Sequence, residues 1–178
     1  RDINKAIYYL TLAADQNYPD AQYNLGLFYL TAKYVPRNIN KAIYYLSLAA
    51  NQNELKAQSD LGIIYLTGEH VPRDINKAIY YFSLAANQND LKSQYNLGNI
   101  HLTGKYVPRD INKAIYYFSL AANHNNSSAQ FKLGFIYFTD EYASRDIKKA
   151  VYYLTLAADQ NHPDAQYNLG IIYFTGDY

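Results

Sequence analysis

A ten-residue segment that recurs at a fixed interval constrains this chain more than any other feature. It is KAIYYLTLAA at residues 5–14, and close copies begin at Lys41, Lys77, Lys113 and Lys149, always 36 residues apart. A repeat of this length is typical of a solenoid, in which each unit buries its apolar face only by stacking on its neighbours.

The recurrent segment predicts an amphipathic helix, called here the second helix of each repeat. Asp2 is suited to cap its N-terminus, and apolar residues then recur at i, i+3, i+4 and i+7. Asn17 favours a stop, because asparagine tolerates the left-handed conformation after a helix. The predicted packed stripe comprises Ile3, Ala6, Ile7, Leu10, Ala13 and Ala14.

The segments between these copies predict a first helix for each following repeat. Pro19 suits a first helical turn, and a second apolar stripe is predicted at Ala21, Leu25, Phe28 and Tyr29. Two helices of about 14 residues joined by short loops form an antiparallel hairpin. Glycine ends this helix at Gly68, Gly104 and Gly176, whereas Ala32 and Asp140 take its place in two copies. We expect the turns at those two residues to differ from the others.

The repeat resembles the Sel-1-like repeat, a relative of the tetratricopeptide repeat. The resemblance rests on Ala21, the Leu25–Gly26 pair, Tyr29, the Asn38–x–x–Lys41–Ala42 motif and the Ala49–Ala50 pair, and it covers the whole chain. It implies an all-α fold, a right-handed α/α superhelix of about ten helices, which generally serves as a protein-binding scaffold.

The resemblance also predicts how the chain is divided. We expect one array over residues 1–178, with an orphan second helix at 1–17, hairpins at about 18–53, 54–89, 90–125 and 126–161, and an orphan first helix at 162–178. Neither end carries the polar cap that solenoids usually need, so we expect the array to continue in a longer protein.

Composition argues against several classes of protein. Sixteen basic and fifteen acidic residues are interspersed, which gives no basic footprint for nucleic acid. The chain has no cysteine, which excludes disulfides and fits a cytoplasmic location. No apolar run approaches the roughly 20 residues that a membrane span needs.

No arrangement of residues in the sequence predicts catalysis. Each of the four histidines replaces a tyrosine or glutamine of a sister repeat, and none is spaced to share a metal with another, so we interpret them as tolerated substitutions. Each Leu–Gly pair lies within a helix, where glycine permits close approach of a neighbouring helix. We predict no catalytic residue, no metal and no cofactor, and an enzyme is not expected. The histidines are His70, His101, His124 and His162.

Each second helix also carries a tyrosine and a leucine almost opposite its packed stripe, at about 100° per residue. Stacked repeats would align them into an apolar ridge that suggests a contact site. An i, i+4 Tyr–Leu pair also stabilises a helix by roughly 0.2–0.5 kcal/mol, so a purely local role or drift remains an alternative. The ridge comprises Tyr8, Leu12, Tyr44, Leu48, Tyr80, Leu84, Tyr116, Leu120, Tyr152 and Leu156. Tyr9 is expected at its margin, against the adjacent hairpin.

The first helices offer a competing surface, because by resemblance they line a concave groove. Their residues outside the packed stripe vary between copies, as recognition of an irregular ligand or neutral drift would produce, and some must pack between repeats. We slightly favour the groove as the partner site. Its predicted residues are Tyr23, Leu27, Ile63, Tyr95, Asn99, Phe131, Phe135 and Tyr167.

These patterns predict a non-enzymatic scaffold that binds a protein segment of unknown identity through the groove, with the ridge as a further surface. A structural element permanently packed in a large assembly, or self-associated, is one alternative. A regulatory array attached to a catalytic domain elsewhere, such as a kinase, is another.

Overall fold

The computed structural model describes residues 2–33, 35–139 and 145–176, and within them the chain forms helices and no strand. The all-α helical-repeat fold class is confirmed. The helices are α1 (Ile3–Asp15), α2 (Pro19–Thr31), α3 (Ile39–Asn51), α4 (Leu55–Thr67), α5 (Ile75–Asn87), α6 (Leu91–Thr103), α7 (Ile111–Ala122), α8 (Ser127–Phe138), α9 (Ile147–Ala158) and α10 (Pro163–Thr175).

The helices fall into two compact units, Arg1–Asp90 with α1 to α5 and Leu91–Tyr178 with α6 to α10. Odd-numbered helices are the predicted second helices, and even-numbered helices are the first helices. Within each unit, every helix packs against the next one along the chain. The continuity of one array over residues 1–178 stays a prediction.

The second helices begin and end as their sequence predicts. The Asp2 side chain accepts a hydrogen bond from the backbone N–H of Lys5 at 3.0 Å, and Asn38, Asp74, Asp110 and Asp146 make the same contact three residues on. An asparagine in the left-handed conformation follows each of these helices, with φ between 60° and 64° at Asn17, Asn53, Asn89, Asn125 and Asn161.

The ends of the first helices correct one expectation. Ala32 (φ 54°) adopts the left-handed conformation of Gly68 (φ 68°), so the predicted local difference is wrong for the backbone at that position. The fourth copy does differ, because α8 ends at Phe138 and Thr139 is extended (φ −98°, ψ 139°). Asp140 lies outside the described residues.

The core of each unit forms where a second helix presses a large side chain onto a first-helix glycine. A Cβ on Gly62 would lie 2.5 Å from the ring of Phe82, and a Cβ on Gly98 would lie 2.6 Å from the ring of Phe118. Both rings are fully buried. The predicted role of these glycines is therefore confirmed. The same contact joins Gly26 to Leu46 and Gly134 to Leu154.

A buried glutamine on each of α2, α4 and α8 adds a polar link that the apolar stripes did not reveal. Gln58 is 1% exposed; its Nε2 donates to the carbonyl oxygen of Ala50 at 3.0 Å, and its Oε1 accepts from Nε2 of Gln88 at 2.8 Å. Because both groups are paired, burial of the amide is tolerated. Equivalent links join Gln22 to Gln52 at 2.7 Å and Gln130 to Gln160 at 2.7 Å.

Candidate functional site

The ridge tyrosines lie on the surface of the second helices, as the helical periodicity predicts. In the first unit, Tyr8 is 59% exposed, Tyr44 59% and Tyr80 55%; in the second, Tyr116 is 58% and Tyr152 59%. Their exposure is confirmed, whereas their role in binding stays a prediction.

Four of the five ridge tyrosines, all except Tyr8, rest on a column of two further aromatic rings. The ring of Tyr80 meets that of Tyr81 edge-on at 5.1 Å between centroids, and Tyr81 stacks on Tyr65 at 5.9 Å with an interplanar angle of 3°. Lys77 Nζ lies 5.0 Å from the Tyr65 centroid, within range of a cation–π interaction. The exposed ring of Tyr80 therefore packs against this column of rings.

The second unit contains a column with the same order of groups. Tyr152 meets Tyr153 edge-on at 5.1 Å, Tyr153 stacks on Tyr137 at 6.1 Å, and Lys149 Nζ lies 5.0 Å from the Tyr137 centroid. Burial raises the pKa of Tyr153, which keeps its hydroxyl neutral. In these copies, the tyrosine at the Tyr9 position stacks on the first helix of its own hairpin, and its expected contact with the adjacent hairpin stays a prediction. Tyr9 itself is 65% exposed and meets only Tyr8 among described aromatic rings.

His101 replaces the first-helix tyrosine in one column of the second unit. Its ring stacks on Tyr117 at 5.9 Å with an interplanar angle of 7°, and its Nδ1 is buried without a hydrogen-bond partner among the described residues. Burial first, and the charge of Lys113 second, lower the pKa of His101, while Asp110 opposes them. The histidine therefore acts as a neutral aromatic ring.

The ridge leucines contribute less surface than predicted. Leu12 is 42% exposed, but its four equivalents are half-buried. The expectation that each leucine lies outside the packed surface is therefore wrong in part. The exposed feature of the second helices in each unit is therefore the tyrosine, while the leucine four residues on is mostly covered.

The outer groove positions are partly used for packing between repeats. The Tyr23 hydroxyl donates to Asp60 Oδ2 at 3.1 Å, and burial, with Asp60 nearby, raises the Tyr23 pKa. The Tyr95 ring packs on Phe118 at 5.6 Å, and the Phe131 ring stacks on a histidine at 4.7 Å. These three side chains are half-buried, so they do not face away from the packed surface as expected.

The other predicted groove residues differ in accessibility. Ile63 is 40% exposed and Tyr167 is 68% exposed, whereas Leu27, Asn99 and Phe135 are half-buried. Free groove surface is therefore concentrated at a few positions, in contrast to the evenly exposed tyrosines of the second helices.

The described residues contain no cluster of three or more His, Cys, Asp or Glu side chains able to hold a metal ion. One cavity, of about 270 Å³, lies between α9 and α10 and is lined by Ile147, Lys148, Val151 and Tyr173. These residues provide no nucleophile with an adjacent base. No helix in the described ranges is both long and apolar enough to span a bilayer.

Comparison with known proteins identifies the repeat. The profile of the Sel1 repeat matches residues 1–18, 19–54, 55–90, 91–126, 127–162 and 163–178. No curated protein sequence matches the chain closely enough to serve as a relative.

Solved structures share both fold and sequence with this chain. It is similar to a Sel1 repeat protein from Oxalobacter formigenes, with 31% identity and a TM-score of 0.87 over 99% of this chain and 52% of that one. It is also similar to c5321, a protective antigen of uropathogenic Escherichia coli displaying an SLR fold, with 29% identity and a TM-score of 0.86 over 96% of this chain and 36% of that one. The chain thus spans about half and about a third of these two proteins.

Proposed function

Because this chain belongs to the Sel1 repeat family, whose members are generally protein-interaction scaffolds and typically non-catalytic, we propose that it is a non-enzymatic scaffold that binds a protein segment through the exposed tyrosines of its second helices. The partner fits an apolar segment with hydrogen-bonding groups at its edge, since a tyrosine ring offers apolar faces and one hydroxyl.

The observation that supports this proposal is the even exposure of the ridge tyrosines, four of which pack against stacked aromatic rings. Tyr44 and Tyr80 are 59% and 55% exposed, yet each contacts a neighbouring ring at 5.1–5.2 Å. An aromatic side chain that already packs against another ring loses little conformational entropy on binding. Burying it in an interface contributes roughly 1.5–3 kcal/mol of binding free energy before other costs. Aromatic residues are accordingly enriched at protein interfaces.

The groove remains the second candidate surface. Ile63 and Tyr167 are its most accessible predicted residues, at 40% and 68% exposure. Its variable positions favour recognition of one specific segment, whereas the repeated tyrosines favour a partner that presents similar contacts to several repeats.

The test separates the two surfaces. A partner is first isolated by co-purification with the full-length protein and identified by mass spectrometry, and its affinity is then measured by calorimetry. Replacing both Tyr44 and Tyr80 with serine is expected to weaken binding by about tenfold or more, since two exposed rings are lost. Tyr18→Ser is the matched control, because Tyr18 is 56% exposed but lies at the N-cap of first helix α2 and not on a second helix.

Each outcome of these measurements either assigns partner binding to one surface or excludes that surface. Loss of binding in an Ile63→Ser variant, with full binding by the double tyrosine variant, would move the site to the groove. Full binding by both would exclude these surfaces. Recovery of the full-length protein only within one fixed complex would favour a structural element, and a catalytic domain in the full-length chain would favour a regulatory array.

A further inference from the structure

The ridge side of helix α9 carries four side chains whose spacing is the same in either direction along the helix. These are Lys149, Tyr152, Leu156 and Asp159, separated by three, four and three residues. Such intervals keep side chains on one face of a helix. All four are exposed except Leu156, which is half-buried. Helix α9 packs on both α8 and α10, so this stripe is not the uncovered packing face of a terminal helix.

The two charges of the stripe oppose the dipole of their own helix. Lys149 lies in the first turn of α9, and Asp159 is its C-cap residue. A helix favours anions near its N-terminus and cations near its C-terminus. The N-cap carboxylate of Asp146 compensates Lys149, at 3.2 Å from its Nζ. A neighbouring helix that runs in the opposite direction would bring a cation to Asp159 and to the C-terminal end of α9.

A second copy of α9 provides that neighbour. Leu154 is the midpoint of the stripe, five residues from each charged end and two from Tyr152 and Leu156. If two copies cross antiparallel at this midpoint, Lys149 of each copy lies opposite Asp159 of the other. Each Tyr152 ring then lies opposite Leu156 of the other copy, so every side chain of the stripe faces one of complementary chemistry.

This charge complementarity is greater in α9 than in the equivalent stripes of three other second helices. Those stripes keep the lysine, tyrosine and leucine at the same spacing, but they end in an uncharged residue. The residues concerned are Asn51 in α3, Asn87 in α5 and Asn123 in α7. An antiparallel pair is therefore best supported in the second unit, where α7 adds an uncharged stripe to the charged one of α9.

We propose that the ridge face of the second unit pairs with the same face of a second copy of this chain, with α9 antiparallel to α9. The inference rests on the proposed function, because it names the partner of two ridge tyrosines, Tyr116 and Tyr152. Since both copies use the same patch, the contact is isologous. A net charge of +1 puts little repulsion between the copies.

The size of the face predicts a weak pair. Tyr116 and Tyr152 are 58% and 59% exposed. At about 200 Å² per tyrosine, they expose roughly 230 Å² together, and a standard interface buries roughly 800 Å² per partner. The flanking lysines, leucines and polar residues enlarge the contact without making it strong. We expect a dissociation constant between about 10 μM and 1 mM.

Sedimentation velocity of the 178-residue chain, from about 10 μM to about 1 mM at low ionic strength, measures this pairing. The wild-type chain is expected to associate reversibly. Lys149→Glu and Asp159→Lys each place like charges opposite each other at both ends of the pair, and each is expected to weaken association about tenfold. The double variant Lys149→Glu/Asp159→Lys restores opposite charges at both ends, so it is expected to recover the association of the wild-type chain.

Two matched variants on α10 control for exposure and for charge. Tyr152→Ser is expected to weaken association about tenfold, whereas Tyr167→Ser removes a tyrosine of 68% exposure outside the ridge and is expected to leave it unchanged. Asp164→Lys makes the same change of charge as Asp159→Lys but in the first turn of α10, and it is also expected to have no effect. Circular dichroism shows which variants keep their helices.

Three results would overturn this inference. They are a monomeric wild-type chain at about 1 mM, a helical double variant that associates no better than the single variants, and weakened association in Asp164→Lys. The proposed function fails by a different result, which is full binding of the co-purified partner by the Tyr44→Ser/Tyr80→Ser variant.

Discussion

Replacing a helix glycine with alanine is expected to have opposite effects at two equivalent positions of the second unit. Gly98 faces the fully buried ring of Phe118, and a Cβ there would lie 2.6 Å from Cε1 and 2.7 Å from Cδ1. Gly170 has the same place in its helix, but a Cβ there would meet nothing described within 4 Å. The pair therefore separates the backbone effect of the substitution from its packing effect.

The magnitudes follow from these distances. Alanine stabilises a helix interior by about 1 kcal/mol relative to glycine, and Gly170→Ala is expected to gain that amount. In Gly98→Ala, the ring must move by roughly 0.8 Å to restore ordinary contact, and overpacking of a filled core costs about 1–3 kcal/mol. The free energy of unfolding of Gly98→Ala is thus expected to be about 1–3 kcal/mol below that of Gly170→Ala.

Urea unfolding followed by far-ultraviolet circular dichroism measures both variants against the wild-type chain. A Phe118→Ala background removes the ring, so there Gly98→Ala is expected to lose its packing cost, and the double-mutant cycle isolates that cost. Equal stability of Gly98→Ala and Gly170→Ala in the wild-type background would refute close helix approach as the reason for glycine.

Three further changes test the polar and titrating groups. Gln58→Leu is expected to cost about 1–3 kcal/mol in urea unfolding, because two hydrogen bonds of the buried Gln58 amide are lost, at roughly 0.5–1.5 kcal/mol each. The hydrogen bond from the backbone N–H of Lys113 lowers the pKa of Asp110. The stability that this hydrogen bond contributes is therefore present above about pH 4 and is lost as the pH falls through the lowered pKa. Asp110→Asn is expected to reduce this loss of stability in acid unfolding curves. Burial and Lys113 lower the pKa of His101, so its protonation opposes folding below about pH 6.5, and melting curves of His101→Tyr are expected to lack that decline.

The regular parts of the fold were predictable because short stretches of the sequence determine them. The 36-residue interval is visible directly in the sequence, and the Asp2 cap and the asparagine after each second helix act within a few residues; the cap and the asparagine turns were confirmed. The turn at Ala32 was not predicted, because this alanine adopts a left-handed conformation that normally favours glycine.

The buried glutamines show why the pattern of apolar residues is insufficient to predict which side chains are buried. Gln22 and Gln58 are 0% and 1% exposed, but a hydrophobicity pattern assigns such residues to the surface. Their burial depends on hydrogen bonds to residues far along the chain, which only the folded structure brings together. The invariance of this glutamine in all five copies was the signal that could have revealed it.

The candidate surfaces were only partly predictable for a related reason. Helical periodicity placed Tyr8 and its equivalents on the surface correctly, because one helix is enough to decide that. It could not decide how much of Tyr23 or Phe131 is covered, since the covering groups belong to the following repeat.

The glutamine link also bears on how quickly such a chain can fold. It joins residues 30 apart, and the Tyr23–Asp60 hydrogen bond spans 37. No loop much longer than one repeat has to close before these contacts form, so the entropy of closure stays small. A unit can nucleate at any hairpin and extend to its neighbours. Adding a repeat to the gene would then lengthen the protein without raising its folding barrier in proportion.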